Sequence, residues 1–543
     1  MHGALHALPV QAVAATPDSL AALTGANILV FDRRTGTLKA ALDARIDARA
    51  GVSPGPGAPS AVFPRLCAFS PSGQHLAVAS DDKILRVWHV DAIEYGREVM
   101  FQRLAKRAGT LQWVPSAEGD EVVVADKFGD VWSFVVGAAP TQDVADAADE
   151  AEASLRPRLG HVSMVTCLAF LPSDNAAEPN AIVSCDRDEH IRLSRWGARR
   201  AAHVVEQYLL GSRSCVGAVI ALPADRAARA GLPPSDRPVL ISSDGGACLR
   251  VWCSEERTYH LRATVHLDAE KLASYVHIDA ATERRRERAA SNLALQGAFD
   301  PSAPEPDTKR RKHADDADDS ESALPAHGVS LVIQHLELFE AEGRDWLLVR
   351  IEGAEAVFVV PLAALMHDAT NVEARVCHVG APVLQTALVC APGETPELWT
   401  CCDDRPGIGA GPALRRWSWQ DGAFSASPPD VPEPLAELVH GAPVTQEGDV
   451  PVPEPGTTLV AVARTPRALA PLATLSKLCL YSQIMTWPKP PQANPDGSPF
   501  TSLFLHQRTE AVARDMVERF QAGKRAAGRA KNQASIQQQF GTD

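Results

Sequence analysis

The fold of this chain is decided by a stretch that recurs along it with variations. Residues 69–88 read Phe69-Ser-Pro-Ser-Gly-Gln-His-Leu-Ala-Val-Ala-Ser-Asp-Asp-Lys-Ile-Leu-Arg-Val-Trp88. Two short apolar runs flank the Ser80-Asp81-Asp82 turn, and the second run ends in an aromatic residue. Apolar runs of this length that are separated by a polar turn predict a pair of adjacent β-strands.

The pattern returns three times with a strong match, at residues 122–132, 182–194 and 239–252. The turn residues Asp81, Asp126, Asp186 and Asp244 are spaced 45, 60 and 58 residues apart. Weaker copies lie at residues 28–32, at 346–351 with 357–360, and at 398–399 with 414–419. The pattern resembles the WD repeat, in which four strands form one blade of a β-propeller.

Seven copies predict an all-β fold, a seven-bladed WD40-type β-propeller with disordered inserts and a helical C-terminal tail. A single blade cannot bury both faces of its sheet, so neighbouring blades cover them. We place the propeller at residues 1–424, with an acidic loop at 137–156 and a disordered or helical insert at about 254–328. A Pro-rich linker follows at 425–456, and residues 457–543 form an extension that completes the final blade and ends in a basic helical tail.

Composition restricts the class of protein. The chain has 543 residues, 45% of them hydrophobic, which is enough to bury a sizeable core. Its formal charge of -14 argues against a protein whose whole surface binds nucleic acid, although it does not exclude a local basic patch. No apolar run approaches the roughly 18–20 residues that a membrane span needs. Eleven cysteines without a C-x-x-C pair are typical of reduced thiols in the cytosol or nucleus.

Two glycine-containing strings resemble catalytic motifs in part. A nucleotide loop at Gly407-Ile-Gly-Ala-Gly411 would need a helix after it, but Pro412 and a strand-like run follow. A nucleophile elbow at Gly51-Val-Ser53-Pro-Gly55 would need a backbone N–H after the serine, which Pro54 lacks. The sequence therefore predicts a hairpin loop in the last blade, a flexible loop near residue 53, and no catalytic, cofactor or metal site on this chain.

Basic residues cluster outside the repeats. Lys309, Arg310, Arg311 and Lys312 are typical of a nuclear-import patch, and a solvated charge block is the alternative. We expect the protein in the nucleus, with the cytoplasm as a second compartment. The tail from residue 501 is basic and has an apolar stripe, so it either contacts RNA phosphates or docks on the propeller as a surface helix.

The copy at residues 182–194 departs from the others. Arg86, Arg192 and Arg250 occupy one repeat position, but the turn before Arg192 carries four successive charges, Asp186-Arg-Asp-Glu189. A repeat that only had to pack would not require these charges. They form either a solvated turn or an electrostatic docking patch, in which charge pairs set orientation and association rate.

Three strings around this turn resemble one family. They are Leu159-Gly-His-Val-Ser-Met164, Asp186-Arg-Asp-Glu-His-Ile-Arg-Leu-Ser194 and Tyr208-Leu-Leu-Gly211, and Ala125-Asp-Lys-Phe-Gly-Asp-Val-Trp-Ser-Phe134 is similar to the family's blade-three motif. The family is the non-catalytic WD-repeat subunit of the eukaryotic tRNA (guanine-N7)-methyltransferase. One departure is Ser212 after Gly211, where the family usually has histidine.

This resemblance implies a heterodimer with a separate catalytic methyltransferase subunit. The partner would bind S-adenosylmethionine and methylate N7 of a guanine in the variable loop of tRNA, while the propeller stabilises the partner and positions the tRNA. Arg192 and Glu189 match the family's partner contacts, and Lys127 is a weaker candidate. Arg192 is also an ordinary repeat arginine, which leaves a packing role open.

The alternative function is a generic WD-repeat scaffold, or an adaptor in a ubiquitin-ligase or chromatin complex. Many ligase adaptors carry a Trp-Asp-x-Arg string. None of the ten tryptophans in this chain is followed by aspartate, which weakens the adaptor hypothesis.

Overall fold

The chain forms seven successive antiparallel sheets, which are the blades of a β-propeller, as predicted. The computed structural model describes residues 5–36, 38–44, 63–90, 96–116, 119–137, 157–173, 176–197, 202–212, 215–244, 247–277, 331–409, 411–426, 469–471, 475 and 480. Blade one consists of Val10–Ala15, Ser19–Thr24, Asn27–Asp32 and Leu38–Asp43, and blade two of Pro64–Phe69, His75–Ser80, Ile84–His89 and Glu98–Arg103. Blade three consists of Ala108–Ser116, Gly119–Asp126, Asp130–Val135 and Leu159–Gly160. Blade four consists of Val165–Ser173, Ala176–Asp186, Ile191–Arg195 and Val205–Leu209.

Blades five to seven follow the same order from first to fourth strand. They consist of Val216–Leu222, Val239–Asp244, Cys248–Glu255 and Thr258–Leu267; of Ile333–Ala341, Arg344–Ile351, Ala356–Pro361 and Arg375–His378; and of Val383–Val389, Glu397–Cys402, Leu414–Gln420 and Ala423–Ala426. Ala369–Val372 adds a fifth strand to blade five, parallel to Thr258–Leu267. The described helices are short: Ala224–Arg229, Ala269–Ala273 and the 3-10 turn Leu362–Leu365.

One backbone hydrogen bond repeats around the ring and defines a common face. In each case the amide after the second strand donates to the carbonyl just before the first strand of the same blade. The pairs, at 2.8–3.0 Å, are Asp81 to Phe63, Lys127 to Arg107, Arg187 to Met164, Glu352 to Val332 and Asp403 to Pro382. The turns between second and third strands therefore lie beside the blade-to-blade loops, and we call this side the turn face.

Apolar side chains on both faces of each sheet make the core between blades. Val122, Val123, Val124 and Ala125 are fully buried, as expected of a strand covered on both sides. Trp88 packs in a cluster shared by blades one and two, and Trp252 in one shared by blades four and five. The prediction that the terminal tryptophan fills the gap between blades is thus confirmed at these two positions.

The ring closes where blade one meets blade seven. Phe31 of blade one and Trp399 of blade seven share one buried cluster. Arg33 Nη1 of blade one donates to Glu397 Oε1 of blade seven at 2.9 Å, and both side chains are almost fully buried. A charge pair removed from water in this way fixes the register between the two blades, because separating it would leave a buried charge unpaired.

Two predicted boundaries differ from the structure. We predicted that residues 457–543 complete the final blade, but its four strands lie within residues 383–426, and Leu469–Pro471 pairs instead with Leu5–Ala7. We placed the large insert from residue 254, but Thr258–Leu267 is the outer strand of blade five, with Tyr259, Ala263 and Val265 turned into the core. Most of the acidic loop, the linker and the basic tail lie outside the described residues.

Candidate docking site on the turn face

The structure aligns the turns of blades two, three and four residue by residue. The shared backbone bond makes Asp81 equivalent to Lys127 and Arg187, so Ser80, not Asp81, takes the place of Asp126 and Asp186. The residue two positions after each bond donor has a left-handed backbone: Lys83 with φ 65°, Gly129 with φ 101° and Glu189 with φ 77°. The sequence alignment that equated Asp81 with Asp126 and Asp186 was therefore wrong by one residue. In blade two the aspartates come one and two residues after the position that Asp126 and Asp186 occupy in their own blades.

Asp186 holds the turn of blade four together. Its Oδ1 accepts hydrogen bonds from the backbone amides of Asp188 at 2.8 Å and His190 at 3.0 Å. Its Oδ2 lies 3.0 Å from Nδ1 of His161 and 3.0 Å from Nδ1 of His190, and Nε2 of His161 lies 2.7 Å from Ser184 Oγ. A buried carboxylate with this many donors makes the charged turn rigid rather than a loose solvated loop.

The same contacts set the charge of the turn. Burial alone would raise the pKa of Asp186, but the hydrogen bonds from His161 and His190 outweigh it and hold that pKa well below its ordinary value. The hydrogen bond to Asp186 raises the pKa of His190, with the charges of Asp186, Asp188 and Glu189 adding to the effect. The turn therefore keeps an anionic centre near neutral pH and favours a protonated histidine beside it.

Arg192 is positioned differently from its repeat equivalent in blade two. Arg86 Nη2 bonds Asp82 Oδ2 at 3.1 Å, and its guanidinium lies 5.1 Å from the centre of the Phe101 ring. In both arginines Nε is buried without a partner, as is Nη1 of Arg86. Arg192 Nη1 donates to the carbonyl of Gly160 at 3.0 Å. No carboxylate among the described residues forms an ion pair with it. Nη2 remains the nitrogen that an acceptor from outside could meet.

The three predicted partner residues surround one loop, residues 160–164 between blades three and four. Arg192 bonds Gly160 of that loop, and the turn that contains Glu189 bonds Met164 through Arg187. The turn that contains Lys127 joins the loop through Gly129, whose carbonyl accepts from the amide of His161 at 2.9 Å. Glu189 and Lys127 are both partly exposed. The structure therefore brings the predicted residues to one side of the ring.

Sequence reasoning missed an apolar component of this site. Five large hydrophobic side chains are exposed among the described residues, and four lie around this loop. We call these four the docking patch: Phe128, Val162, Tyr208 and Leu210, each at least 48% exposed. They come from a turn, two blade-to-blade loops and an outer strand, so no periodic signal in the sequence connects them. Exposed apolar side chains that cluster beside charges are typical of a protein-interaction site.

Other predicted features bear on the site less directly. Residues 407–409 and 411 lie between the second and third strands of blade seven, so the hairpin loop is confirmed. In blade five, Trp252 Nε1 donates to Ser242 Oγ at 2.9 Å, and Ser212 Oγ is buried without a partner where the family usually has histidine. Lys309, Arg310, Arg311 and Lys312 lie outside the described residues.

The described part of the chain also bears on metal sites, membrane spans and cavities. It holds no cluster of three side chains suited to a metal ion, and none of its helices has the length and apolar character of a membrane span. A cavity of about 800 Å³ opens on the face opposite the turns, between blades one, two, six and seven.

Comparison with known proteins identifies the repeat family. A family model described as the tRNA methyltransferase TRM82 WD40 domain matches residues 58–157 and 138–410, together more than half of the chain. The matched region includes the docking patch and the turns of blades two to five.

Curated relatives match over a shorter stretch. The tRNA (guanine-N(7)-)-methyltransferase non-catalytic subunit wdr4 of Xenopus laevis is 31% identical over 185 residues, which are 34% of this chain and 38% of that protein. The human subunit WDR4 is 32% identical over 34% of this chain and 36% of its own length. The subunit TRM82 of Coccidioides immitis is 29% identical over 34% of this chain and 41% of its own length. The chain thus spans well under half of the length of these relatives.

Proposed function

The chain belongs to the TRM82 WD40 family, and on that premise we propose that it is the non-catalytic subunit of a tRNA (guanine-N7)-methyltransferase heterodimer. The relatives are named as non-catalytic subunits of this enzyme. In this proposal the catalytic subunit binds S-adenosylmethionine and carries out the methyl transfer. The propeller stabilises the active conformation of that partner and positions the tRNA.

One observation carries the proposal most directly, namely the state of Arg192. A largely buried guanidinium that lacks a carboxylate is an unfavourable arrangement within a single chain. A partner carboxylate that approaches Nη2 would complete its hydrogen bonds in a site already shielded from water. Loss of such a desolvated pair at an interface costs about 2–5 kcal/mol.

The surroundings of Arg192 supply the other parts of an interface. The docking patch offers apolar area that a partner would remove from water, at about 25 cal/mol per Å². Glu189 and Lys127 give charges of both signs near its edges, which would orient a partner with the opposite pattern. The rigid Asp186 turn means that little ordering is needed on binding, so less of the interaction energy is lost.

The cellular location remains a proposal that rests on sequence. The basic block at residues 309–312 supports import into the nucleus, where the heterodimer would meet tRNA, with the cytoplasm as the second compartment.

The proposal is tested by reconstitution. The purified chain is mixed with the catalytic tRNA (guanine-N7)-methyltransferase subunit from the same source, and N7-methylguanosine formed in tRNA is measured with and without the chain. We expect a stoichiometric complex and a methylation rate that depends on the chain. A catalytic subunit that neither binds the chain nor changes in rate would exclude this function and favour the generic WD-repeat scaffold.

A further inference from the structure

The face opposite the turns holds the cavity of about 800 Å³, which the proposed function does not use. Its wall comes from the first strands of blades one, two, six and seven, and the first strand of blade one contacts those of blades two and seven. First strands that meet around the ring enclose its central channel, so the cavity is the opening of that channel on this face. Its volume lies within the range of about 300–1,000 Å³ that is usual for ligand pockets.

The carboxylate of Glu337 lines the cavity without a basic side chain that balances it. Its Oε2 lies 3.2 Å from Nε2 of His335, which also lines the cavity, and the two side chains are 34% and 38% exposed. Among the described residues, no lysine or arginine forms an ion pair with Glu337. With Nε2 donating to the carboxylate, a neutral His335 keeps Nδ1 as an acceptor, so this pair of side chains offers acceptors to a ligand.

The other charged residues of the wall do not change this balance. Lys39 lines the cavity, but its Nζ already contacts Asp32 Oδ2 at 3.3 Å and donates to the carbonyl of Asp18 at 2.9 Å. No arginine lines the cavity among the described residues. Asp18 adds a second carboxylate at the rim, where its side chain is 78% exposed and lies 3.7 Å from Arg34. The charge inside the cavity is therefore negative, and it belongs to Glu337.

A second polar group of the wall, the hydroxyl of Thr386, lacks a partner. Thr386 is 6% exposed, and its Oγ1 has no hydrogen-bond partner among the described residues. A buried hydroxyl without a hydrogen bond is unfavourable, and a donor brought by a ligand would satisfy it. Because a hydroxyl can accept a hydrogen bond, Thr386 and Glu337 suit the same kind of ligand, one that carries N–H donors.

Much of the remaining wall is apolar and includes Val13, Ala15, Phe69 and Leu388. Such a surface suits an alkyl chain, since long basic side chains bury their alkyl stems against apolar groups while the charged end meets polar ones. Glu337 lies in the middle of Ile333–Ala341, whereas Asp18 lies beyond the end of the first strand of blade one. The carboxylate deeper in the channel is therefore Glu337, at the place where the charged end of such a ligand would lie.

We propose that this cavity binds an alkyl chain that ends in an ammonium or guanidinium group, with the cation at Glu337 and Thr386 as a second acceptor. Charge-assisted hydrogen bonds of this kind are the strong ones. Lysine and arginine side chains of a protein have this chemistry, and free polyamines share it. The cavity and the docking patch lie on opposite faces, so this proposal stands or falls independently of the proposed function.

The test titrates the full-length chain by calorimetry with spermidine and, separately, with a capped glycine–arginine–glycine peptide. A capped peptide with glutamine in place of arginine is the neutral probe. Glu337→Gln removes the charge and keeps the size of the side chain, and Thr386→Val removes the hydroxyl and keeps the shape. The matched control is Glu340→Gln, because Glu340 lies on the same strand, is exposed and does not line the cavity. Melting curves show whether each variant folds.

We expect the wild type to bind a cationic probe and not the neutral peptide. Glu337→Gln should bind that probe roughly tenfold more weakly, Thr386→Val should bind it several-fold more weakly, and Glu340→Gln should bind it like the wild type. Binding of the arginine peptide alone would assign the cavity to a basic side chain of a protein, and binding of spermidine alone would assign it to a free polyamine.

The absence of binding by both cationic probes would overturn the proposal. Equal losses for Glu337→Gln and Glu340→Gln would also overturn it, because the attraction would then come from the negative charge of the whole chain. If Glu337→Gln does not fold, Thr386→Val decides the question, and unchanged affinity in that variant would contradict the proposal.

Discussion

Blades two and four share one turn geometry but give the arginine that follows the turn different partners. Both place a residue other than glycine in a left-handed backbone, Lys83 in one and Glu189 in the other, and both have an arginine three residues later. Blade two pairs Arg86 with Asp82 inside its own turn, whereas blade four leaves Arg192 with a backbone carbonyl. One repeat position therefore has a carboxylate partner in blade two and none among the described residues in blade four, and we propose that the second arginine serves recognition.

Replacing each of these arginines with methionine tests the comparison. If both contributed equally to the fold, the two variants would lose the same free energy of unfolding. Arg86→Met leaves Asp82 without its counter-charge and should lower the free energy of unfolding by about 3 kcal/mol. Arg192→Met removes a charge that lacks a carboxylate and should change that free energy by less than about 1 kcal/mol. Urea denaturation of the two variants measures the difference, and equal losses would assign Arg192 to the fold.

The contact between the blade-three turn and the loop that leads into blade four gives a second test, because the candidate docking site surrounds that loop. A Cβ atom at Gly129 would lie 2.5 Å from the carbonyl oxygens of both His161 and Ser163. Gly129→Ala should therefore lower stability by about 2–4 kcal/mol, through the clash and the left-handed backbone. Gly343 also has a positive φ but has open space around it, so Gly343→Ala should cost only about 1 kcal/mol. Equal melting temperatures for the two variants would show that the joint is not closely packed.

The stability that the blade-four turn contributes should also depend on pH. The blade-two turn has no histidine and should not show this dependence. The raised pKa of His190 gives stability that is fully present below the ordinary value of 6.5 and is lost as pH rises through the folded pKa. The lowered pKa of Asp186 gives stability that is present above 3.8 and is lost only as pH falls through its folded pKa. Their joint contribution is thus greatest between these values.

We expect the stability difference between wild type and His190→Gln to shrink as pH rises from about 5 to about 9. The change should be small, since the side chain of His190 is half exposed and solvent screens the pair. Denaturation curves at several pH values measure it. A difference that is constant with pH would mean that His190 does not titrate against Asp186.

The sequence predicted most of the fold because each repeat carries its own strands and turn. It also identified the charged turn of blade four, since Asp186 to Glu189 differs from the sibling repeats. It could not predict the docking patch, because Phe128, Val162 and Leu210 converge from separate loops. The fifth strand of blade five escaped prediction for a similar reason, since Ala369–Val372 pairs with a distant segment through backbone bonds.

We propose that Arg192 serves recognition and not the fold. The most direct measurement is the affinity of the chain for the catalytic subunit, by calorimetry, for wild type and Arg192→Met, with melting curves of both. Methionine is used because a glutamate at this buried position would be an unpaired carboxylate and would destabilise the fold by itself. Arg195→Met is the control, because Arg195 lies on the same strand but is exposed at its opposite end. We expect nearly normal melting for both variants and a loss of about 2–5 kcal/mol in binding for Arg192→Met alone. Unchanged binding by Arg192→Met, or a collapse of its melting curve, would contradict a role in recognition.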